Sequence, residues 1–423
     1  MLGTNIIRTF FSRSGTAVIN LIVVIMSARL LGDEGMGMIS LLILAVTINA
    51  LFVGLWGGAG LVYLTPRHMV KNLLIIGYAW SIIASLSVIW VFQYFELFPA
   101  YFGNHVYLLV IINSFASINM YIILGKEKIK THNIITFLQS LLLLLAILFQ
   151  FFIISFVEVS AYLWALYLSF GFVWLSSSVV LLNSKSNTVK KSFKETLTQT
   201  FSYSLVLQAG SGVQLLNYRF SYYIIDFFLG TAMLGRFSVA VQVAEGILIL
   251  GKSFGLVLYS RVSNIESIKE AIKTSIPLLK LTAYATFVGT IIILLLPSSF
   301  FIYLFGQDFS HVHEILMYLS PGIVFVSATM LFSAFFSGVG MIKINTQGSI
   351  IGLISTLLLS VWMIYYYGLK GAAIATSLSY MSSLAYAQYH FRKVSGLGLD
   401  IYRISSSDFQ QIKLLIKGLF SKK

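Results

Sequence analysis

Leu31-Gly32-Asp33-Glu34-Gly35-Met36-Gly37-Met38-Ile39-Ser40 returns about 198 residues later as Leu229-Gly230-Thr231-Ala232-Met233-Leu234-Gly235-Arg236-Phe237-Ser238. The Leu-Gly pair, Gly37 with Gly235, and Ser40 with Ser238 keep identical spacing, and each copy lies between two long apolar runs. Two more matches follow in order. Phe102-Gly103-Asn104-His105-Val106 has a looser echo in Phe305-Gly306-Gln307 and His311-Val312. Gly125-Lys126-Glu127-Lys128-Ile129-Lys130 is matched by Gly338 with Ile342-Lys343. A single glycine-rich turn recurs by chance, whereas three in order at equivalent positions mark an internal duplication of the kind that builds many transporters.

Around these turns lie twelve apolar runs, near 15–31, 38–64, 73–96, 105–124, 134–157, 160–182, 204–229, 237–258, 278–297, 314–338, 348–367 and 371–391. Each is long enough to cross a bilayer, which takes about 20 mostly apolar residues. Six runs per half is an even number, so both halves enter the membrane from the same side. The repeat is therefore parallel, with its axis along the membrane normal. The expected fold is an all-α integral membrane protein of two six-helix lobes, 1–198 and 199–391, and a basic cytoplasmic tail, 392–423. Phe409 to Phe420 in that tail reads as an amphipathic helix lying on the membrane surface. The longest loops are expected at 183–202 and 259–277, and Pro321-Gly322 marks a kink in the tenth span.

Composition agrees with lipid rather than water as the solvent. Of the 423 residues 58% are hydrophobic and only 10% charged, with a mean hydropathy of +0.90, against about 25% charged in soluble domains. The chain has no cysteine, which excludes disulfides and thiolate metal sites. Its net charge of +14 does not point to nucleic acid, because the basic residues cluster in short loops between apolar runs. Arg8 and Arg13 followed by an apolar stretch resemble a signal peptide. With no small-residue cleavage site and Arg29 directly after, the segment reads as an uncleaved first helix.

The loop charges set the orientation. With the N-terminus inside, 23 of the 28 basic residues fall on the inner side, leaving Arg29, Arg219, Arg236, Lys252 and Lys370. The outer loops carry Asp33, Glu34, Glu96, Glu158, Asp308 and Glu314 instead. The chain is thus expected to be a multi-pass protein of a cytoplasmic (inner) membrane with both termini cytoplasmic. Aromatic clusters at Phe92 to Phe102, Phe300 to Phe305 and Tyr365 to Tyr367 fall at outer span ends, where interfacial belts form.

The exceptional residues are the charges inside the membrane. The seventh span holds Arg219 and Asp226, and the eighth holds Glu245 and Lys252. An ionised side chain at a helix centre costs ~2.5–3.5 kcal/mol, so four such groups must pair or meet water. Each pair is seven residues apart and lies on one helix face, about 10 Å apart along the axis. The two helices run antiparallel through the turn Gly230 to Gly235, which brings Arg219 and Glu245 to similar depth and predicts that they pair. Two readings remain open. The charges are ion pairs that hold the two helices together, or they line a water-filled cavity, contacting an anionic substrate or carrying coupling protons. Polar uncharged residues follow the same helices: Asn20 on the first span, Gln208, Ser211, Gln214 and Asn217 on the seventh, and Gln242 on the eighth. Arg29, near the outer end of the first span, either contributes from the other half or snorkels to the interface.

Enzyme-like signals are weak. Gly210-Ser211-Gly212 resembles the surroundings of a nucleophilic serine, but no mid-membrane histidine serves as its base. His311 and His313, two apart beside Glu314, rarely hold a metal without further ligands.

Over nearly its whole length the chain resembles the oligosaccharide-lipid flippases of the Wzx type, within the multidrug/oligosaccharidyl-lipid/polysaccharide exporter superfamily. The resemblance rests on the twelve spans in two halves and on Arg219-Phe220-Ser221-Tyr222-Tyr223-Ile224-Ile225-Asp226, followed by Gly235-Arg236-Phe237-Ser238-Val239-Ala240. The Gly338 to Lys343 turn and Gly371-Ala372-Ala373-Ile374-Ala375 also fit. It implies a V-shaped MATE-like transporter fold whose first, second, seventh and eighth helices line a central cavity. It also implies a bacterial inner-membrane location and a substrate, an undecaprenyl-diphosphate-linked oligosaccharide, moved from the cytoplasmic to the outer leaflet for O-antigen or capsule assembly.

In that picture Arg219, Lys252 and Arg29, with Asn217 and Gln242, bind substrate, while Asp226 and Glu245 serve coupling or ion pairing. Coupling would use a proton or sodium ion and no other cofactor. The partners would be membrane lipids, the lipid-linked oligosaccharide, and a polysaccharide polymerase with its chain-length proteins, and no nucleic acid. The second span lacks an arginine, a departure that makes the implied cavity less cationic. The competing readings are a multidrug cation exporter of the same superfamily, a lipid II flippase, and a membrane polysaccharide polymerase or glycosyltransferase. The last lacks the large loop and clustered carboxylates that a reaction centre needs.

Overall fold

The computed structural model describes residues 2–184, 192–398 and 401, with side chains from residue 14 onward except those of 206, 207 and 209. The amphipathic segment Phe409 to Phe420 and the lysines at 185, 190 and 191 lie outside the described residues. The described residues form helices and no strand. Twelve long helices are α1 (2–31), α2 (33–57), α3 (Val70–Tyr94), α4 (His105–Gly125), α5 (Ile129–Leu148), α6 (Val159–Leu182), α7 (Phe193–Leu229), α8 (Thr231–Val262), α9 (Ile268–Leu294), α10 (Val312–Gly338), α11 (342–367) and α12 (369–395). Nine helical segments among the described residues are long and apolar enough to span a membrane, and two of these, Ser14–Leu64 and Ile342–Ser395, each contain a break. The exception is α7, whose polar face leaves it short of that apolarity.

The duplicated turns share their backbone geometry. Gly32 (φ 71°, ψ −171°) separates α1 from α2, and Gly230 (φ 86°, ψ 168°) separates α7 from α8. A side chain is strained at such positive φ, so glycine is required where the chain reverses without a loop. After α4, Lys126 (φ −87°, ψ 10°) and Glu127 (φ 58°) make the same turn as Val339 (φ −87°, ψ 7°) and Gly340 (φ 79°) after α10. Space selects the glycine ending each helix: a Cβ on Gly125 would fall 2.6 Å from Thr65 Cβ, and one on Gly338 2.7 Å from Val262.

Contacts divide the chain into two compact units, 5–212 and 213 onward. In the first, α4 packs against α3, α5, α6 and the short helix Gly60–Leu64. Its core includes Val53, Leu61, Leu73, Ile118, Ile122 and Ile135. The N-terminal part of α7 also belongs here. A Cβ on Gly54 or Gly58 would strike the Gln208 side chain and one on Gly60 the Ser204 hydroxyl, the close approach that small residues permit between membrane helices. In the second unit α10 takes the place of α4, packed against α8, α9 and the α11–α12 segment. Leu258, Leu331, Phe332, Phe335, Phe336 and Phe391 fill that core.

Several expectations need correction. The loop expected at 259–277 is mostly helix, since α8 runs to Val262 and α9 starts at Ile268. Hydropathy locates the lipid-crossing part of a helix, and α9 continues past it with Ala271 and Ser275 buried and Glu270 and Lys273 exposed. Lys280, assigned to an inner loop, therefore lies within α9 and is buried. Likewise α7 begins at Phe193, inside the loop expected at 183–202. Pro321, where a kink is expected, lies inside α10, which runs from Val312 to Gly338. The proline removes the donor that would bond the Met317 carbonyl, and the Ser320 hydroxyl donates to that oxygen at 2.8 Å. The aromatic clusters also divide: Tyr94, Phe95 and Tyr365 to Tyr367 are exposed as a belt requires, whereas Phe102, Phe301 and Phe305 turn into the core.

Candidate functional site

The site lies in the second unit, where α7, α8 and α12 place their polar residues. Gly230 reverses the chain, and Arg219 lies about one helical turn nearer that reversal than Glu245, a difference its long side chain spans. Arg219 Nη2 donates to Glu245 Oε1 at 2.5 Å. Arg219 Nη1 donates to the hydroxyl of Tyr222, one turn along the same helix, and the guanidinium carbon sits 5.1 Å from the centre of that ring. Tyr222 is buried and packs edge-on against Phe237 of α8 at 6.0 Å. The pair is not sealed: the Arg219 side chain is 25% exposed and that of Glu245 37%. A cation fixed by one carboxylate and one aromatic hydroxyl, with both charged ends reachable, suits recognition of a polar or anionic ligand better than pure packing.

Tyrosines complete the cluster. Tyr218 meets Tyr380 of α12 edge-on at 5.4 Å, and Gln214 Nε2 donates to the Tyr218 hydroxyl at 3.2 Å. Both tyrosines line a cavity of about 20 Å³ whose walls also include Gln214, Asn217, Asn345 and Ser383 beside apolar residues. That is room for about one water molecule. Asn217 anchors its floor. Its Oδ1 accepts from Thr356 Oγ1 at 2.9 Å and Ser379 Oγ at 2.8 Å, joining α7, α11 and α12. Gly352 admits this amide, since a Cβ there would lie 2.4 Å from Asn217 Nδ2.

The other residues singled out from sequence are spread apart. Gln242 is half-buried one turn before Glu245, and Lys252 is exposed farther along α8. Asp226 accepts from the Thr231 hydroxyl at 2.8 Å, bridging the α7–α8 turn away from Arg219. Arg29 is exposed in the first unit, as is Asn20. His311 and His313 do not converge: His311 Nδ1 lies 3.5 Å from Glu314, which Lys370 also binds at 2.7 Å, while His313 Nε2 meets the Leu294 carbonyl at 3.0 Å. Among the described residues no three His, Asp or Glu side chains gather as a metal site. Tyr218 and Tyr380 escaped the sequence reading. Tyr218 adjoins Arg219 in sequence, a usable signal, whereas nothing in the sequence pattern of α12 singles out Tyr380.

No protein-family model matches the sequence, and no curated protein matches it significantly. Solved structures do. An inward-facing multidrug resistance MATE family transporter of the MOP superfamily superposes with a TM-score of 0.75 at 16% identity, covering 90% of this chain and 95% of that one. The lipid II flippase MurJ in an inward closed conformation gives 0.71 at 16% identity, covering 98% and 96%. A MOP superfamily transporter from Pyrococcus furiosus gives 0.64 at 15% identity, covering 95% and 97%. The chain shares the fold of these structures. It is a multi-pass helical membrane protein, and the structures sharing its MOP fold are transporters and a flippase rather than enzymes.

Proposed function

We propose that this MOP-fold protein is a flippase for oligosaccharide repeat units carried on undecaprenyl diphosphate, moving them from the cytoplasmic to the outer leaflet of a bacterial inner membrane for O-antigen or capsule assembly. The observation that carries the reading is the partly exposed Arg219, held at membrane depth by Glu245 and Tyr222 among further tyrosines. A guanidinium fork suits diphosphate oxygens, and tyrosine and amide groups suit sugar hydroxyls and ring faces. The likeness to MurJ, itself titled a lipid II flippase, supports a lipid-linked substrate on this fold.

In this reading Lys252 and Arg29 contact the anionic carrier outside the tyrosine cluster, with Asn217 and Gln242 supporting the polar wall. Alternating access of the two lobes moves the headgroup, coupled to a proton or sodium ion, and polymerase and chain-length proteins receive the product. A multidrug cation exporter, the other reading, calls for an acidic group available to the cargo. Here Glu245 already carries a cation, Arg219, whose charge opposes a cationic cargo, and Asp226 accepts from the Thr231 hydroxyl.

The test is deletion of the gene in its own bacterium. Loss of surface glycan with intact cytoplasmic precursor, restored by the wild-type gene, is the expected result. Unchanged glycan with new sensitivity to cationic dyes would overturn the flippase reading in favour of the exporter.

A further inference from the structure

We propose that Arg67 is a second phosphate-binding residue, a capture site in the first unit for the diphosphate headgroup of a lipid-linked substrate in the inner leaflet. The inference rests on the flippase reading above and on the inward orientation of the basic loops. Arg67 lies in the connection 65–69 between the short helix Gly60–Leu64 and α3, one of the loops whose positive charge marks the inner side. Its exposed side chain turns back on the helix it follows. The Arg67 backbone N–H donates to the Leu64 carbonyl at 2.9 Å, and Nη1 donates to the Tyr63 carbonyl at 2.7 Å. The guanidinium carbon sits 3.7 Å from the centre of the Tyr63 ring. That ring in turn stacks on Tyr203 of α7, 4.4 Å away and 9° from parallel.

A basic residue at a membrane surface ordinarily snorkels as a loose point charge, and a helix C-terminus asks one donor of it. Arg67 is held more tightly than either role requires. The ring nitrogens of the next residue, His68, lie 3.0 Å from Thr196 Oγ1 and 2.9 Å from Gln199 Oε1 on α7. Trp56 Nε1 donates to the Leu197 carbonyl at 3.2 Å, and the Trp56 ring stacks on Phe201 at 4.3 Å. These contacts hold Tyr203 over Tyr63 and so set the plane of the guanidinium. Of its five N–H donors one is used on the Tyr63 carbonyl, and among the described residues no carboxylate pairs with it. The free edge of a fixed, unneutralised fork fits phosphate oxygens bidentately. Here it differs from Arg219, whose charge Glu245 already offsets. Exposed Lys71 and Lys194, on the first turns of α3 and α7, add positive charge at this end, while Glu195 of α7 accepts from Gln199 Nε2 at 3.1 Å. Attraction to an unpaired cation grows with the charge of the ligand, so a diphosphate is favoured over the single phosphate of ordinary anionic lipids.

The experiment treats the purified full-length wild-type chain in detergent with phenylglyoxal, which modifies accessible guanidinium groups, and follows each arginine separately by peptide mass spectrometry. No substitution is needed, so a damaged fold cannot mimic the result. Geranyl diphosphate is expected to slow modification of Arg67 about 10-fold while leaving Arg392, exposed near the end of α12, unprotected. Short-chain phosphatidylglycerol should protect Arg67 less because it carries less charge. Inorganic pyrophosphate should protect it less because it has no chain to enter the micelle. Equal rates at Arg67 with and without geranyl diphosphate would overturn the site. Equal protection by phosphatidylglycerol would make Arg67 a general lipid-phosphate contact and overturn the capture role. Equal protection by pyrophosphate would overturn the lipid assignment and leave a soluble diphosphate as the ligand. Deletion of the gene separates this inference from the flippase reading. Loss of surface glycan without protection of Arg67 sinks the capture site and keeps the flippase. Protection of Arg67 with unchanged surface glycan keeps the diphosphate site and sinks the flippase.

Discussion

Asn119 in the first lobe and Asn217 with Arg219 in the second each join several helices, and they leave different things behind. Asn119 is saturated: its Oδ1 accepts from Tyr78, and its Nδ2 donates to Ser177 and Ser178, tying α3, α4 and α6 together. Asn49 likewise donates to Ser85 and Ser114. Both networks are neutral and buried, as a structural polar cluster in a membrane bundle should be. The Asn119 amide is satisfied on both its oxygen and its nitrogen, whereas Asn49 Oδ1 has no hydrogen-bond partner among the described residues. The second lobe repeats the amide hub at Asn217 but adds an ion pair whose side chains are 25% and 37% exposed. Two copies of one scaffold have thus diverged in chemistry while keeping their turns, and on that divergence we place the proposed recognition site in the second copy.

That contrast can be broken or sharpened by substitution. The largest effect is expected from Arg219→Gln: surface-glycan rescue disappears while the protein remains inserted and monodisperse, checked by glycan blotting alongside size-exclusion profiles. Asn119→Ala should do the reverse. It strands the Tyr78 hydroxyl, while Ser177 and Ser178 keep their bonds to the Trp174 carbonyl, and lowers stability by about 1–3 kcal/mol, read as an earlier thermal transition, with transport retained by whatever protein survives. Gly125→Ala and Gly338→Ala test the shared scaffold. Each forces a Cβ into a neighbour at under 3 Å, so both should destabilise by a similar ~1–3 kcal/mol. Markedly unequal losses would mean that the two turns resemble each other only in backbone. The smallest effect belongs to Lys370→Gln, which removes the exposed outer pair with Glu314 and should leave the melting temperature unresolved from wild type.

Much of this was legible in the sequence, for reasons of period and symmetry. Twelve apolar runs report twelve helices because lipid demands them. The paired Leu-Gly turns announced a duplication because glycine alone readily takes the combination of positive φ with ψ near 180° seen at Gly32 and Gly230. The Arg219–Glu245 contact followed from two antiparallel helices sharing one short turn, which fixes their register. The failures have equally plain causes. The helix ends at Phe193 and Ile268 were missed because hydropathy measures the membrane and not the helix. Tyr380 reaches the cluster from α12, distant in sequence, and no local pattern encodes that.

The most direct test of the central claim, that Arg219 faces the translocated headgroup, is a leaflet assay in proteoliposomes. A fluorescent prenyl-diphosphate oligosaccharide is incorporated, and its exposure to an impermeant quencher is followed with time. The account predicts that wild type makes nearly the whole pool accessible within the assay, whereas vesicles carrying folded Arg219→Gln keep the inner-leaflet fraction protected, as protein-free vesicles do. Wild-type kinetics from Arg219→Gln would contradict it.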